Sequence, residues 1–172
     1  MKKILTLCLV TFLFLFNCQR KEEPRVQAPL PGSIQTQNEI NLLQDLVRKY
    51  PNDVSIWIKL GNMLMDTYRF QEAIDAYQKA LELDPKNVDV RVDMGTCYRN
   101  IGKPDKAVEE YKKAITINPR HVNAHRNLGV VLAFDLGEKE QAIKEFEEYL
   151  KVSPNAPDTQ NIRQIITQLK AQ

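Results

Sequence analysis

Histidine, cysteine and glycine are scarce. Two His and three Cys leave little material for a metal site or a His-based catalytic centre. The six Gly are scattered, so no glycine-rich loop is available to cradle a phosphate. Neither sign of charge dominates. With 24 Lys+Arg against 22 Asp+Glu and no acidic tail, the balance does not fit a dedicated nucleic-acid binder. No apolar run reaches the roughly 20 residues that a membrane-spanning helix needs. The 172 residues suit a single domain.

What the chain does have begins at its N-terminus. Lys2 and Lys3 precede an apolar run from Ile4 to Phe16, the pattern of an export signal. No Ala-x-Ala cleavage site follows. Leu15-Phe16-Asn17-Cys18 resembles the lipobox of bacterial lipoproteins, in which the cysteine is acylated and the chain is cut just before it. That resemblance implies a signal peptide over 1–17 and lipidation at Cys18. Phe16 and Asn17 are bulkier than the small residues usual there, and the alternative is an uncleaved anchor with an incidental Cys18. Two acyl chains hold a protein stably on a bilayer. Without Lys2 and Lys3, the side-chain charges of the remaining chain balance.

Residues 18–37 hold Pro24, Pro29, Pro31 and Gly32 among charged neighbours, with little apolar surface to bury. They are expected to form a flexible tether with a mean reach of roughly 25 Å.

The rest repeats itself. Gly61, Gly95 and Gly129 keep a step of 34 residues; Pro51, Pro85, Pro119 and Pro154 keep steps of 34, 34 and 35. Ala73, Ala107 and Ala142 share the period, as do Tyr77, Tyr111 and Phe146. Leu60, Ala80, Tyr98, Ala114 and Leu128 complete the recurring set, with Trp57 in the first unit replaced by Arg91 and His125 in the next two. This resembles the tetratricopeptide repeat, W-x2-L-G-x2-Y, then A-x3-F, then P. The resemblance implies an all-α, right-handed solenoid of three helix-turn-helix repeats, over 54–87, 88–121 and 122–156. An extra N-terminal helix (38–53) carries the stripe Ile40, Leu43, Leu46, Val47 and Tyr50. A capping helix (157–172) carries Ile162, Ile165, Ile166 and Leu169 on one face.

Gly61 and its equivalents are expected to let the partner helix approach closely. Proline after Asp84, Asn118 and Ser153 disfavours helix in the preceding residue and ends each second helix. Gly102 and Gly137 fall where a left-handed turn residue is wanted; the first unit has Tyr68 there, so that turn is expected to be a little strained or differently shaped. The third unit carries one extra residue, expected in the turn within Phe134 to Glu140.

Chemistry is hard to find in this pattern. His121 and His125 are four apart, but no HExxH glutamate accompanies them. Cys97 lies on a helix committed to packing and reads as a buried small hydrophobe. Glu109, Glu110, Lys112 and Lys113, and the Glu140–Lys144 pair, read as solvated helix faces. The aromatics sit at repeat positions, as core and not as a base-stacking platform. Neither an enzyme nor a cofactor, metal, nucleic acid or small-molecule substrate is expected.

The resemblance implies a binding groove along the first helix of each unit. By position it comprises Ser55, Ile58, Asn62, Met65 and Asp66; Asp89, Val92, Thr96, Arg99 and Asn100; and Asn123, Arg126, Val130, Ala133 and Phe134. Arg99 and Arg126 are expected to face the ligand. A subtype that clamps the C-terminal carboxylate of chaperones is rejected, because its positions here hold Ile58, Asn62, Asp93, Asn123 and Asn127, and only Asn62 fits. The leading expectation is a lipid-anchored adaptor of the bacterial cell envelope, on the periplasmic side or cell surface, holding a peptide or helix of another envelope protein. The alternative is a structural or surface-exposed lipoprotein that works by self-association.

Overall fold

The computed structural model describes residues 31–171, with side chains from residue 34. The signal segment, Cys18 and the tether up to residue 30 lie outside the described residues. Eight α-helices follow one another: α1 (Pro31–Lys49), α2 (Val54–Asp66), α3 (Phe70–Leu83), α4 (Val88–Asn100), α5 (Pro104–Ile117), α6 (Val122–Val130), α7 (Lys139–Val152) and α8 (Thr159–Lys170). A π-helical segment, Val131–Leu136, extends α6. Among the described residues there is no strand, and no helix is long and apolar enough to cross a membrane.

Helix α1 begins at Pro31, so residues 31–37 are helical and not tether. Proline suits the first helical position, where its missing N–H costs nothing. Arg48 and Lys49 in the last turn complement the helix dipole.

Three paired units follow. Each first helix has a side-chain cap at the same register: Asp53 accepts from Ser55 N, Asn87 from Val90 N, and His121, through Nδ1, from Ala124 N. Each intra-unit turn closes through one left-handed residue, Tyr68 (φ 61°), Gly102 (φ 73°) or Gly137 (φ 72°). The closing bonds are Arg69 N to Leu64 O, Lys103 N to Tyr98 O and Glu138 N to Leu132 O. The third spans one residue more. The extra residue of unit three is therefore taken up as π-helix inside the first helix, ahead of Gly137, and not in the turn itself.

The recurring glycines have one packing reason. A methyl at Gly61 would lie 2.4 Å from Tyr77 Cε1, at Gly95 2.6 Å from Tyr111 Cε1, and at Gly129 2.7 Å from Phe146 Cδ1. Each first helix thus lies directly against the aromatic ring of its own second helix. Ala73, Ala80, Ala107, Ala114 and Ala142 are fully buried beside these rings. The apolar stripes of α1 (Ile40, Leu43, Val47) and α8 (Ile162, Ile166, Leu169) join the same core.

A second slot explains the variable residue at the Trp position. Trp57 Nε1 donates to Pro51 O at 2.8 Å, Arg91 Nη2 to Pro85 O at 2.8 Å, and His125 Nε2 bonds Pro119 O at 3.0 Å. Facing them on the second helix are Ala76, Glu110 and Glu145. Arg91 pairs with Glu110 at 2.9 Å and His125 with Glu145 at 2.7 Å. Glu110 is only 7% exposed, which corrects its reading as part of a solvated face. A buried carboxylate needs a partner, and Arg91, 19 residues away, supplies it.

Candidate functional site: the inner face of the stack

Successive first helices touch one another, α2 with α4 and α4 with α6, whereas the second helices make no comparable contact. The first helices therefore line the inner face. Its floor is built from side chains that answer the buried rings. Asn62 Oδ1 accepts from Tyr77 OH at 2.8 Å, and Thr96 Oγ1 lies 3.1 Å from Tyr111 OH. In unit three both positions turn apolar, holding Val130 and Phe146. The residue types covary along the repeat because a buried hydroxyl needs a partner and a phenyl ring does not.

Ser55 is engaged by the α2 cap, its Oγ donating to Asp53 at 2.7 Å. Asn100 Nδ2 donates to Thr96 O at 2.8 Å. Ile58, Met65, Val130 and Ala133 are half-buried. Val92, expected in the groove, is 4% exposed and belongs to the core. It sits on α4, the central helix, which α2 and α6 flank on both sides. Phe134 is 59% exposed, at the mouth of the π-helical segment.

The two arginines expected to reach for a ligand are already engaged. Arg99 Nε meets Asp135 Oδ2 at 2.5 Å and its Nη2 meets Oδ1 at 3.1 Å. Arg126 Nε meets Asp158 Oδ2 at 2.6 Å. Asp158 also accepts from Tyr149 OH, and these two donors hold its carboxyl below the usual range. So engaged, Asp158 makes no side-chain cap, and α8 starts at Thr159 and not at Pro157. The acids lie 36 and 32 residues away, in the neighbouring unit or cap, so no local rule pairs them. Arg99, Asn100, Gly102, Pro104 and Asp135 also line an open cavity of about 470 Å³.

The acids of the groove differ. Burial, then Asp89, push the Asp93 carboxyl up to about 6, with His121 pulling it down and Asp66 adding the smallest push. Asp89 Oδ1 meets His121 Nε2 at 2.9 Å. Among the described residues the one cysteine is no candidate nucleophile: Cys97 is fully buried, and burial, then Asp93, push its thiol up to about 12. His121 caps α6 and His125 fills the Trp slot, so the two do not converge. Among the described residues no three His, Cys, Asp or Glu side chains gather as a metal would require.

A family model described as the cytochrome c-type biogenesis protein H TPR domain matches residues 36–160. The chain belongs to this tetratricopeptide repeat family. Two crystal structures of MamA superpose with a TM-score of 0.74 at 23% identity; they cover 81% of this chain, which spans 74% and 80% of theirs. The first TPR of Spaghetti (RPAP3), bound to the HSP90 peptide SRMEEVD, superposes with a TM-score of 0.64 at 27% identity, covering 69% of this chain and 94% of its own. No curated protein matches the sequence. The MamA structures carry the all-α repeat fold; the family match and the peptide-bound neighbour carry a protein-interaction scaffold.

The caps at 53, 87 and 121 and the floor pairs were readable as covarying repeat positions. The ion pairs between units were not.

Proposed function

We propose that the protein is a lipid-anchored adaptor that holds a segment of another cell-envelope protein along the inner face of its three repeats. The observation that carries this reading is the inner face itself. It is a continuous surface of three first helices in a tetratricopeptide frame, with exposed Asn62, Asp66, Asn123 and Phe134 left for a partner. The anchor rests on Leu15 to Cys18, at the end of an apolar run too short to span a bilayer comfortably.

The test is a crosslinking pull-down from membranes with the full chain as bait, beside the Phe134→Glu variant. Loss of the main captured band, with helix content unchanged, supports the reading. The family model is named for c-type cytochrome biogenesis, so proteins of that process are the first to look for in the band. Cys18→Ala should abolish fatty-acid labelling; equal label on both forms would remove the anchor from the reading.

A second reading, self-association, is favoured by Ile34 and Leu42. They stand 51% and 57% exposed on the terminal helix α1. Dilution-dependent size in chromatography, with the captured band intact in Phe134→Glu, would put it first.

A further inference from the structure

The charges of the inner face are unevenly matched. Toward the C-terminal end they are closed into pairs, Arg99 with Asp135 and Arg126 with Asp158. Toward the N-terminal end, Asp66, Asp89 and Asp93 share one neighbourhood. Asp89 alone is bonded there. The Nδ1 of His121 accepts from the α6 backbone, so its Nε2 carries the hydrogen that Asp89 accepts.

Asp66 and Asp93 make no hydrogen bond or ion pair among the described residues, and both stand where a carboxylate costs stability. Asp66 is the last residue of α2, where the helix dipole opposes a negative charge. Asp93 is half-buried in the middle of α4 and accepts no hydrogen bond there; His121 draws its carboxyl down, but less than burial and Asp89 push it up. Lys59, on the same helix as Asp66, acts instead on Asp53 at the helix start. Half-buried Ile58 and Met65 share α2 with Asp66 and offer apolar surface to an alkyl stem.

We infer that this end of the groove seats a basic segment of the partner, with a lysine or arginine head placed between Asp66 and Asp93. The inference rests on the groove reading and names its client chemistry. An ammonium or guanidinium supplies the full counter-charge that His121, already bonded to Asp89, does not, while its stem lies along Ile58 and Met65. An acidic peptide of the kind that RPAP3 holds, SRMEEVD, would meet carboxylates here.

The test uses the full chain in detergent at low ionic strength and a short labelled peptide of alternating lysine and alanine, read by fluorescence anisotropy. The peptide should bind. Asp66→Asn with Asp93→Asn should weaken it at least about tenfold. Asp75→Asn with Glu109→Gln, two exposed acids on second helices, should leave it unchanged, and the glutamate–alanine counterpart should not bind. Failure of the lysine peptide to bind, or equal weakening by both pairs, overturns the inference. A photoreactive phenylalanine analogue at Phe134, crosslinked in native membranes, separates the two layers of the argument. A client crosslink lost with Asp66→Asn and Asp93→Asn supports the basic segment. A client crosslink that survives both substitutions overturns the basic segment and leaves the groove reading standing. No crosslink from Phe134 removes the groove reading, and the basic segment with it.

Discussion

Units two and three share a frame and differ in what fills it. Both press a glycine of the first helix onto an aromatic ring of the second, Gly95 on Tyr111 and Gly129 on Phe146. Unit two places Thr96 against the ring's hydroxyl, and unit three has Val130 and a plain phenyl ring at the same positions. In the Trp slot, unit two has Arg91 with Glu110, and unit three has His125 with Glu145. On the inner face, Asp93 of unit two stands where unit three has Asn127. The frame is held by single positions that tolerate no side chain. The fillings of the ring and of the Trp slot change in matched pairs, because each polar atom removed from water needs its partner, whereas Asp93 has none.

The frame should break hardest. Gly95→Leu drives a branched side chain into the Tyr111 ring, where even a methyl has only 2.6 Å. A loss of about 3 kcal/mol is expected, at the upper end for overpacking. Gly129→Leu should lose as much, since Phe146 stands equally close. Thermal melting followed by circular dichroism should show a drop of about 10 °C for each. An unchanged melt for either would mean that its ring moves aside without cost.

Breaking a filling should cost less and be repairable. Glu110→Ala leaves Arg91 with its Nε already unpartnered and its main counter-charge gone. About 2 kcal/mol should be lost, discounted for the exposure that the guanidinium keeps. Arg91→Trp together with Glu110→Ala reproduces the Trp57 and Ala76 pair of unit one and should return close to the parent stability. A double variant as weak as Glu110→Ala would show that the slots are not interchangeable.

The contrast between frame and filling also separates what was legible in the sequence from what was not. Single recurring residues show directly as a period: the glycines, the alanines, the rings and the prolines. They carried the fold, the order of helices and the positions of the turns. The inner face was legible only as a register, and its side chains resolved differently. Val92 went to the core because its helix is central. Arg99 and Arg126 went to Asp135 and Asp158, beyond any local spacing rule. Glu110 looked like one of four surface charges until Arg91 was brought to it from the first helix of its unit. The start of α1 was misplaced because Pro31 and Gly32 read as breakers, although proline is at home in a first turn.

Asp93→Asn copies Asn127 and should act through pH. Burial raises the Asp93 carboxyl to about 6 in the folded chain, above the roughly 4 of an unfolded one. The folded state therefore favours the protonated acid. That stability is full below about pH 4 and is lost as pH rises through about 6. Asp93→Asn should raise the melting temperature near pH 8 and leave it unchanged near pH 4. An equal gain at both would assign the effect to shape and not to charge.

The floor pair gives a smaller effect of the same kind. Thr96→Val leaves the Tyr111 hydroxyl without its 3.1 Å partner and should cost about 1 kcal/mol. Adding Tyr111→Phe, which completes the unit-three pair, should recover most of it. A coupling near zero in that double-mutant cycle would mean that solvent satisfies the hydroxyl equally well.

The smallest effect is expected where unit one departs from both others. Tyr68 holds a left-handed φ of 61°, at the position that Gly102 and Gly137 occupy. A bulky residue there stores roughly 1 kcal/mol of strain. Tyr68→Gly releases it, but gives back about 0.5–1 kcal/mol through the greater entropy of glycine in the unfolded chain. It also loses the edge contact with Phe70, whose ring centre lies 5.9 Å away. The terms nearly cancel, so the denaturation midpoint should move by no more than a few tenths of a kcal/mol at an unchanged slope. Folding alone then gives this chain little reason to keep an aromatic that is 81% exposed at that turn. Membrane pull-downs with the same variant turn that near-cancellation into a test. If stability holds while the captured band weakens, the turn edge of unit one belongs to the contact surface. If both are unchanged, Tyr68 is a tolerated departure from the glycine of its neighbours.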